Sequence, residues 1–500
     1  MFRTGNLELG RTCYRGLTYA MRAAMLCGTW LVGTASAQSV NWLDPLGYEK
    51  PAPVTLNEPN ESTVANKYWV DLASGSGSTC SQSNPCGGIE SVIGKPGTNG
   101  GPAIIYVKGN GGMSLYDQTL QGSGDADCRS TGCGNWILIR NWPAGTPGCT
   151  AECSATINGS SNMNSPTGVS HIIIDGGPNL KIAFNSNGGP GTYANHVLAN
   201  YVIVYRTQTY CTGNNQQEGW SVGDSTPANH VYFINNEFYG CANTGDQASA
   251  IYAGPGGGGG YNDLVFQNNI VRQFGGDGIE INPRVTSTGL TVTGNAFHDV
   301  GLSTCGGGWQ CRPGITVSIQ SGNGNNSTVI ENNLIWNTGS SCIWDRGGGS
   351  PRPLIANNTC YNYGIGSGGG GANPQGISGY VNGGTATVEN NIIYSPSGVA
   401  PFDGSPFSAT NNLCASGQAC GNAAQSWTAT TVKSTTSTSA DFMVISSGSP
   451  AVGAGLVLTA LTTSYGGGIR SMTSFDIGAI ALGGSTILPT PNPPSNVTVH

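Results

Sequence analysis

The stretch FINNEF at 233–238 decides the fold, because variants of it recur through the second half of the chain. Each variant is a short apolar segment, then one or two asparagines, then usually another apolar residue. The other copies are FQNNIV (266–271), VTGNAF (292–297), IENNLI (330–335), IANNTC (355–360), VENNII (388–393) and ATNNLC (409–414). The steps between their last asparagines are 33, 26, 38, 25, 33 and 21 residues. Repeats built from helices have a nearly constant length, whereas a coil with loops of unequal length allows such variation in the step.

The repeat predicts a solenoid in which each turn adds short strands to parallel sheets. Successive turns would stack about 4.8 Å apart, with the apolar residues filling the interior. Asparagine tolerates the left-handed conformation of a tight bend and hydrogen-bonds locally. Stacked from turn to turn, these residues would form a ladder of side-chain amides inside the coil. The composition agrees, because 80 glycines and few charges suit many short strands and tight turns.

Both ends of the repeat region resemble the right-handed parallel β-helix proteins of the pectate-lyase-like superfamily. KYWVDLASGSGST (67–79), GGIESVIGKPG (87–97) and AIIYVKGNGG (103–112) are similar to the N-terminal cap of secreted β-helices. SGSPAVGAG (447–455) and FDIGAIAL (475–482) resemble the last turn of bacterial members, although Val452 and Gly453 stand where Ile-Asp is usual. The resemblance implies an all-β fold, a single-stranded right-handed parallel β-helix with an Asn ladder and an N-terminal cap, over 68–482.

The chain ends predict export. Arginines, the apolar run AAMLCGTWLVG and ASA before Gln38 form a signal-peptide layout, with Met21 an alternative start. We expect a signal peptide at 1–37, an N-terminal extension at 38–67 and a Pro-rich tail at 483–500. The protein would be secreted or on the cell surface, with no transmembrane segment. The net charge of −7 falls to about −10 without the signal, which disfavours nucleic acid as a partner.

The cysteines support the same interpretation. Fourteen remain after the signal peptide, and they fall into close pairs: 80/86, 128/133, 149/153, 211/241, 305/311, 342/360 and 414/420. An even number in an exported chain predicts disulfides. Zinc is the competing explanation, but zinc needs sets of four ligands and the chain has only five histidines.

A second strand of each turn is predicted to expose functional side chains. Aligning AIYAG (250–254), GIEIN (278–282), GITVS (314–318), CIWDR (342–346) and GISGY (376–380) places an isoleucine in one column. If the isoleucines point inward, alternation turns their neighbours outward. The first outward column is Tyr252, Glu280, Thr316, Trp344 and Ser378. The second is Gly254, Asn282, Ser318, Arg346 and Tyr380.

This face combines acids, guanidiniums and aromatic rings, a mixture that suits sugar rings. Glu280 is the candidate acid or base, and Arg284 and Arg346 would bind or neutralise charge. The arginines are expected to lower the pKa of Glu280. The other candidate contacts to the substrate are Tyr252, Asp277, Asn282, Trp309, Trp344, Asp345 and Tyr380. The competing interpretation is a solvated sheet face without a ligand.

No catalytic signature is complete. A lyase needs a base and a cation beside the uronate carboxylate, yet no lysine occurs between Lys181 and Lys433. A hydrolase needs a second carboxylate, for which Asp277, Asp224 and Asp345 are candidates. We therefore predict a monomeric protein that cleaves a polysaccharide or cell-surface glycan by hydrolysis or β-elimination. A non-catalytic adhesin or glycan-binding β-helix is the alternative. No cofactor or metal is expected, with calcium left open although no dense Asp cluster is visible.

Overall fold

Parallel strands, three to a turn, build the structure, which is a computed structural model. All described residues belong to one compact unit. The structure describes residues 55–115, 118–124, 128, 132–158, 161–164, 168–186, 195–211, 219–223, 228–241, 249–254, 261–282, 287–302, 312–317, 328–346, 353–366, 374–379, 385–403 and 407–482. The signal peptide and the Pro-rich tail expected from the sequence lie outside these residues.

Three parallel sheets run along the coil. The strands of the first are β1 (Lys67–Asp71), β2 (Ala103–Gly111), β4 (Leu120–Gln121), β5 (Ile137–Asn141), β8 (Val169–Asp175), β11 (Asn200–Tyr205), β14 (Val231–Ile234), β17 (Asn262–Gln267), β20 (Thr288–Thr293), β23 (Thr328–Glu331), β26 (Leu354–Ala356), β29 (Ala386–Glu389) and β31 (Phe407–Thr410).

The end of β2 also starts the second sheet, so that the two sheets are joined there. The further strands of the second sheet are β6 (Ala155–Asn158), β9 (Ile182–Ser186), β12 (Gln208–Cys211), β15 (Glu237–Cys241), β18 (Ile270–Phe274), β21 (Ala296–Val300), β24 (Leu334–Thr338), β27 (Thr359–Tyr363), β30 (Ile392–Tyr394), β32 (Leu413–Cys414) and β33 (Gln425–Ser426).

The third sheet is the shortest and carries the candidate site. Its strands are β3 (Ser114–Leu115), β7 (Ser161–Asn164), β10 (Asn195–Leu198), β13 (Trp220–Val222), β16 (Ile251–Ala253), β19 (Ile279–Ile281), β22 (Ile315–Val317), β25 (Ile343–Asp345) and β28 (Ile377–Gly379). Each strand pairs in parallel with the equivalent strand of the next turn, so the predicted all-β parallel β-helix is confirmed. A 3₁₀ helix, Ile89–Val92, lies between β1 and β2 and buries Ile89 and Val92.

The Asn ladder is present, and the two residues of each bend have different roles: the first forms the turn and the second forms the ladder. The first residue has a positive φ of 51–66° and is Asn235, Asn268, Gly294, Asn332, Asn357, Asn390 or Asn411. The second is buried, and its Oδ1 accepts hydrogen bonds from the backbone N–H and side-chain amide of the asparagine one turn earlier. Asn236 donates to Asn269 in this way at 3.0 Å, and the chain of bonds continues to Asn412.

The outer faces of the first two sheets are covered at the two ends of the described chain. Leu56 and Val64 pack on the outside of the first sheet together with Tyr106 and Trp136. After β33, residues 427–482 form turns and bridges, and Phe442 and Ile445 pack on the outside of the second sheet. The division of the chain into domains with a boundary at 482 stays a prediction.

Six of the expected cysteine pairs are disulfides in the structure, whereas the pair 305/311 lies outside the described residues. The six are 80–86, 128–133, 149–153, 211–241, 342–360 and 414–420. No helix among the described residues has both the length and the apolar character needed to cross a membrane.

Replacing a ladder residue should destabilise the whole coil. In Asn358→Ala the backbone N–H and amide group of Asn333 lose their buried acceptor. We expect the free energy of unfolding in urea to fall by about 2–5 kcal/mol, since each unsatisfied buried donor costs about 1–3 kcal/mol. Asn179→Ala removes an exposed amide that donates to Glu152 and should change it by less than about 0.5 kcal/mol. Equal effects of the two variants would contradict the ladder's role.

Candidate functional site

The register of the third sheet agrees with the alignment of its strands. Ile251, Ile279, Ile315, Ile343 and Ile377 pair in one column, and all are fully buried in the core. Their neighbours pair in the adjacent column, which is Tyr252, Glu280, Thr316, Trp344 and Ser378. Because alternate residues of a strand point to opposite faces, this second column lies on the outer face of the sheet.

The candidate residues at the edges of this face differ in burial and in the direction of their side chains. Asn282 and Arg346 are half-buried one position after their strands. Asp345 pairs with Val317 in an inward column and is fully buried, so the expected contact with substrate is not supported by its position. Four further candidates lie outside the described residues: Asp224, Arg284, Trp309 and Tyr380.

Asp277 reaches this face from the bend before β19. It is fully buried, and the hydroxyl of Thr316, one turn later, donates to its Oδ1 at 2.5 Å. A guanidinium nitrogen of Arg312 lies 3.5 Å from its other oxygen. Asp277 is therefore buried at this edge of the sheet and is held by Thr316 and Arg312.

The ionisation of Glu280 is opposite to the sequence-based expectation. Burial raises its pKa to about 7, and repulsion from Asp277 adds to this, while Arg312 and Arg346 act in the other direction. The expected lowering by arginines is wrong because it ignored the loss of hydration and the second carboxylate, which together outweigh the two cations. A carboxyl group with a pKa near 7 can take up or release a proton at neutral pH.

The sequence did not place Arg312 on this face or select Thr316 as a site residue. Thr316 stood in the outward column, but an uncharged residue there gave no reason to select it. Arg312 lies before its strand, next to Pro313, so strand alternation could not assign its direction. Their distance in sequence from the isoleucine column could have identified Arg312. Asp277 precedes Ile279 by two residues and Arg312 precedes Ile315 by three, which places both on one edge of the sheet.

Three buried polar atoms in this region lack a hydrogen-bond partner among the described residues. They are Oδ2 of Asp277, Nε of Arg312 and Oδ1 of Asn282. Buried polar groups are almost always satisfied in folded proteins, and an unsatisfied one costs about 1–3 kcal/mol. Three such atoms beside the two carboxylates make this edge of the sheet the candidate place for the polar groups of a ligand.

Two aromatic rings lie on either side of the acids. Tyr252 is one turn before Glu280, and its ring occupies the space where a Cβ of residue 254 would stand, so the glycine there makes room for it. Trp344 is two turns after Glu280, and the guanidinium of Arg346 lies 4.4 Å from its ring centre. At about 4.8 Å per turn, the two rings are about 14 Å apart along the coil.

A second cluster of carboxylates and arginines provides a comparison. Under the N-terminal segment, fully buried Asp175 accepts hydrogen bonds from Arg140 and Arg206, and these arginines also pair with Glu58 and Glu61. Burial and the neighbouring Asp175 raise the pKa of Glu58 to about 7. None of the buried polar side-chain atoms of these five residues lacks a partner in the described structure. This closed cluster attaches the N-terminal segment, whereas the Asp277 cluster is left incomplete.

The charges of the site do not fit a calcium ion. Among the described residues, two guanidiniums face two carboxylates there, so these side chains offer no excess of negative charge for a hard cation. Elsewhere in the described part of the chain, no group of three or more His, Cys, Asp or Glu residues has the arrangement of a metal site.

Comparisons with known proteins confirm the fold. The family model for a right handed beta helix region matches residues 223–414. The structure is similar to that of the pectate lyase Pel9A, with a TM-score of 0.51 and 16% identity over 84% of this chain and 98% of that one. The GH136 lacto-N-biosidase from Eubacterium ramulus gives a TM-score of 0.45 and 12% identity over 70% of this chain and 68% of that one. A search of curated proteins found no match.

The family model and the similarity to Pel9A show a right-handed parallel β-helix, as predicted from the repeat and the chain ends. At 16% identity the similarity to Pel9A concerns the fold alone. Any argument for activity therefore has to come from the residues of the site.

Stability should depend on pH through Glu280. Because its pKa is raised in the folded state, folding favours the protonated form, and stability is lost as pH rises from about 4.5 to about 7. Glu280→Gln mimics the protonated form and should raise the free energy of unfolding by about 1–3 kcal/mol at pH 8 but change it little at pH 4.

Chemical denaturation at the two pH values measures this difference. Asp441→Asn serves as the control, because the Asp441 side chain is 56% exposed beside Lys433 and should shift stability by less than about 0.5 kcal/mol at either pH. A Glu280→Gln variant less stable than the parent at pH 8 would show that folding favours the charged form of Glu280, which contradicts a raised pKa.

Proposed function

We propose that this protein is an exported enzyme that cleaves an acidic polysaccharide on the outer face of its third sheet. Glu280 is the acid–base group of the reaction. The observation that carries the proposal is the incomplete cluster: Asp277, Glu280 and Arg312 converge at one point, and buried oxygen and nitrogen atoms there have no partner among the described residues. A flat face of separate side chains would have favoured a binding protein instead.

The charge balance favours an anionic sugar. With one proton on the carboxyl pair, the site carries one negative and two positive charges, which leaves a net positive charge for a uronate carboxylate. Guanidinium groups are suited to carboxylates because their N–H donors match the two oxygens. Arg346, half-buried beside Trp344, and Arg312, beside Asp277, would supply these donors.

Among reactions on such a substrate, β-elimination is better supported than hydrolysis. Elimination needs a base for the proton α to the carboxylate and a cation that neutralises this carboxylate, and the cluster supplies both. Hydrolysis needs two carboxyl groups about 5–9.5 Å apart on opposite sides of the bond. Asp277 is fully buried beside Arg312, and Asp345 is buried in an inward column, so neither is placed to supply that second group. Asp224 lies outside the described residues.

The two rings define where sugars would lie. Trp344 has Arg346 near one face, and Tyr252 lies on the opposite side of Glu280. Aromatic rings with polar neighbours bind the apolar patches of sugar rings. A glycan chain lying along the coil axis would contact both rings with its reacting bond at Glu280. Arg284, Trp309 and Tyr380 remain proposed contacts, and Asn282 would hydrogen-bond to the substrate through its Oδ1.

Export, the monomeric state and the cell-surface or secreted location also belong to this proposal. The disulfides support an oxidising compartment.

Glu280→Gln should abolish cleavage and leave the fold intact, because the amide keeps the shape of the side chain but cannot exchange a proton. The purified protein would be incubated with a panel of neutral and acidic polysaccharides. Absorbance at about 235 nm reports the unsaturated product of elimination, and new reducing ends report either kind of cleavage. Cleavage by the Glu280→Gln variant would remove Glu280 from the mechanism. Binding of a glycan without cleavage by the parent protein would favour the adhesin instead.

Trp344→Ala should weaken binding of the cleaved glycan by about 1–3 kcal/mol, on the scale of aromatic stacking. Isothermal titration in the Glu280→Gln background measures the affinity without turnover. The matched control is Tyr210→Ala, a half-buried ring on the second sheet that stacks on Tyr239 and should not change the affinity. Equal affinity in Trp344→Ala would place the glycan elsewhere on the coil.

A further inference from the structure

We infer that Trp344 is a positioning residue for Arg346, and that the guanidinium held in this way binds a carboxylate of the glycan and selects uronates over neutral sugars. This inference rests on the proposed function, because it concerns the face on which the glycan would lie. It gives Trp344 a second role besides stacking on a sugar ring.

The two side chains lie on one face of the third sheet and contact each other. Trp344 is in the outward column of β25, and Arg346 follows it by two residues, so alternation turns both side chains outward. The backbone N–H of Arg346 donates to the carbonyl of Val317 in the previous turn at 2.7 Å, which fixes the backbone from which the side chain extends. The guanidinium carbon lies 4.4 Å from the centre of the Trp344 ring, at the distance of a cation–π contact.

An earlier turn shows that an aromatic residue in this column does not require an arginine beside it. Tyr252 occupies the column three turns before Trp344, and residue 254 stands in the place of Arg346. Residue 254 is a glycine, and a Cβ there would collide with the Tyr252 ring. The ring of Tyr252 thus takes the space that the arginine side chain fills beside Trp344. The contact of Trp344 with Arg346 is therefore specific to this turn.

Arg346 differs from the other arginines in the described part of the chain, because its N–H groups have no acceptor there. Each of the other five donates to or pairs with a carboxylate, or donates to carbonyl oxygens. These five are Arg140, Arg206, Arg272, Arg312 and Arg470. Among the described residues, the half-buried guanidinium of Arg346 forms no hydrogen bond or ion pair. A guanidinium that is held against a ring and keeps its donors available is suited to bind an anion.

The position of this guanidinium relates it to the proposed reaction. Trp344 is two turns after Glu280, about 10 Å along the coil. The charge of Arg346 opposes the rise in the pKa of Asp277 and of Glu280, so it acts back toward the acids. A uronate between Glu280 and Trp344 would offer its carboxylate to the two parallel donors of the guanidinium. Because the ring restricts the arginine beforehand, less conformational freedom is lost when the carboxylate binds.

The test compares charged and uncharged probes in the Glu280→Gln background, where binding is measured without turnover. Oligomers of galacturonate, mannuronate and glucuronate are compared with their methyl esters, which lack the charge. Isothermal titration should show at least one charged oligomer binding about tenfold or more tightly than its ester, as expected for hydrogen bonds to a charged group. Arg346→Ala should abolish this preference. Arg346→Lys should retain only part of it, because lysine keeps the charge without the planar pair of donors.

The positioning role is tested by the coupling of Trp344 to Arg346. Trp344→Leu should lower the preference for the charged oligomer about threefold or more, and Trp344→Phe, which keeps a ring, should retain most of it. In the Arg346→Ala background, Trp344→Leu should still weaken binding of the ester, which reports stacking, but should have no effect on the preference. Lys433→Ala is the control, because it removes an exposed cation of the C-terminal turns and should leave the preference unchanged.

The absence of any preference for the charged oligomers, or a preference that survives Arg346→Ala, would overturn the inference. Equal losses of the charged oligomer and its ester in Trp344→Leu would reduce Trp344 to stacking and refute its positioning role. If Trp344→Leu misfolds by circular dichroism, Trp344→Ser decides, because Ser378 occupies the same column in the next turn. A preference that depends on Arg346, in a protein whose parent form cleaves no glycan, would refute the proposed function and leave this inference standing.

Discussion

The hydrogen bonds between successive ladder asparagines are the interaction on which the rest of the structure depends. Each buried asparagine accepts two bonds from the turn before it, and its own amide also donates to a backbone carbonyl, as Asn269 does to Phe233. The bend between the first and second sheets is therefore held at the same place in every turn from Asn236 to Asn412. With that bend fixed, the register of the strands on either side follows, because a slip of one residue would turn isoleucines outward.

The register in turn creates the candidate site. The side chains that meet on the third sheet come from turns separated by 28 to 39 residues in the chain, such as Thr316 with Asp277. No local motif could bring them together. The coil does so by superposing equivalent positions, and the loops between strands vary without disturbing the superposition. This explains why the site can depart from the repeat, with an acid at 277 and at 280, while the isoleucine column continues unchanged.

The fold could be predicted from the sequence because its main determinants are periodic. The asparagine bends and the isoleucine column repeat in each turn, so alignment within the chain was enough to place Tyr252, Glu280 and Trp344 on one face. The chemistry of the site was harder to predict from the sequence. Asp277 and Arg312 lie in the bends before their strands, where alternation gives no direction. The sign of the pKa shift at Glu280 depends on how much water the folded chain removes, a quantity that a list of neighbouring charges does not contain.

The ladder also implies that the coil behaves as a one-dimensional array. Its cooperative unit is one turn and its two neighbours, so stability should be approximately additive along the axis and limited by the weakest turn. Gly294, which replaces asparagine at one bend, carries no side-chain amide and has the conformational entropy of glycine in the unfolded chain. That bend lies between the turn that carries Glu280 and the turn that carries Thr316. If local opening begins at this bend, the turns that carry the candidate site would be the first to exchange their amide hydrogens, and the other turns would be more persistent.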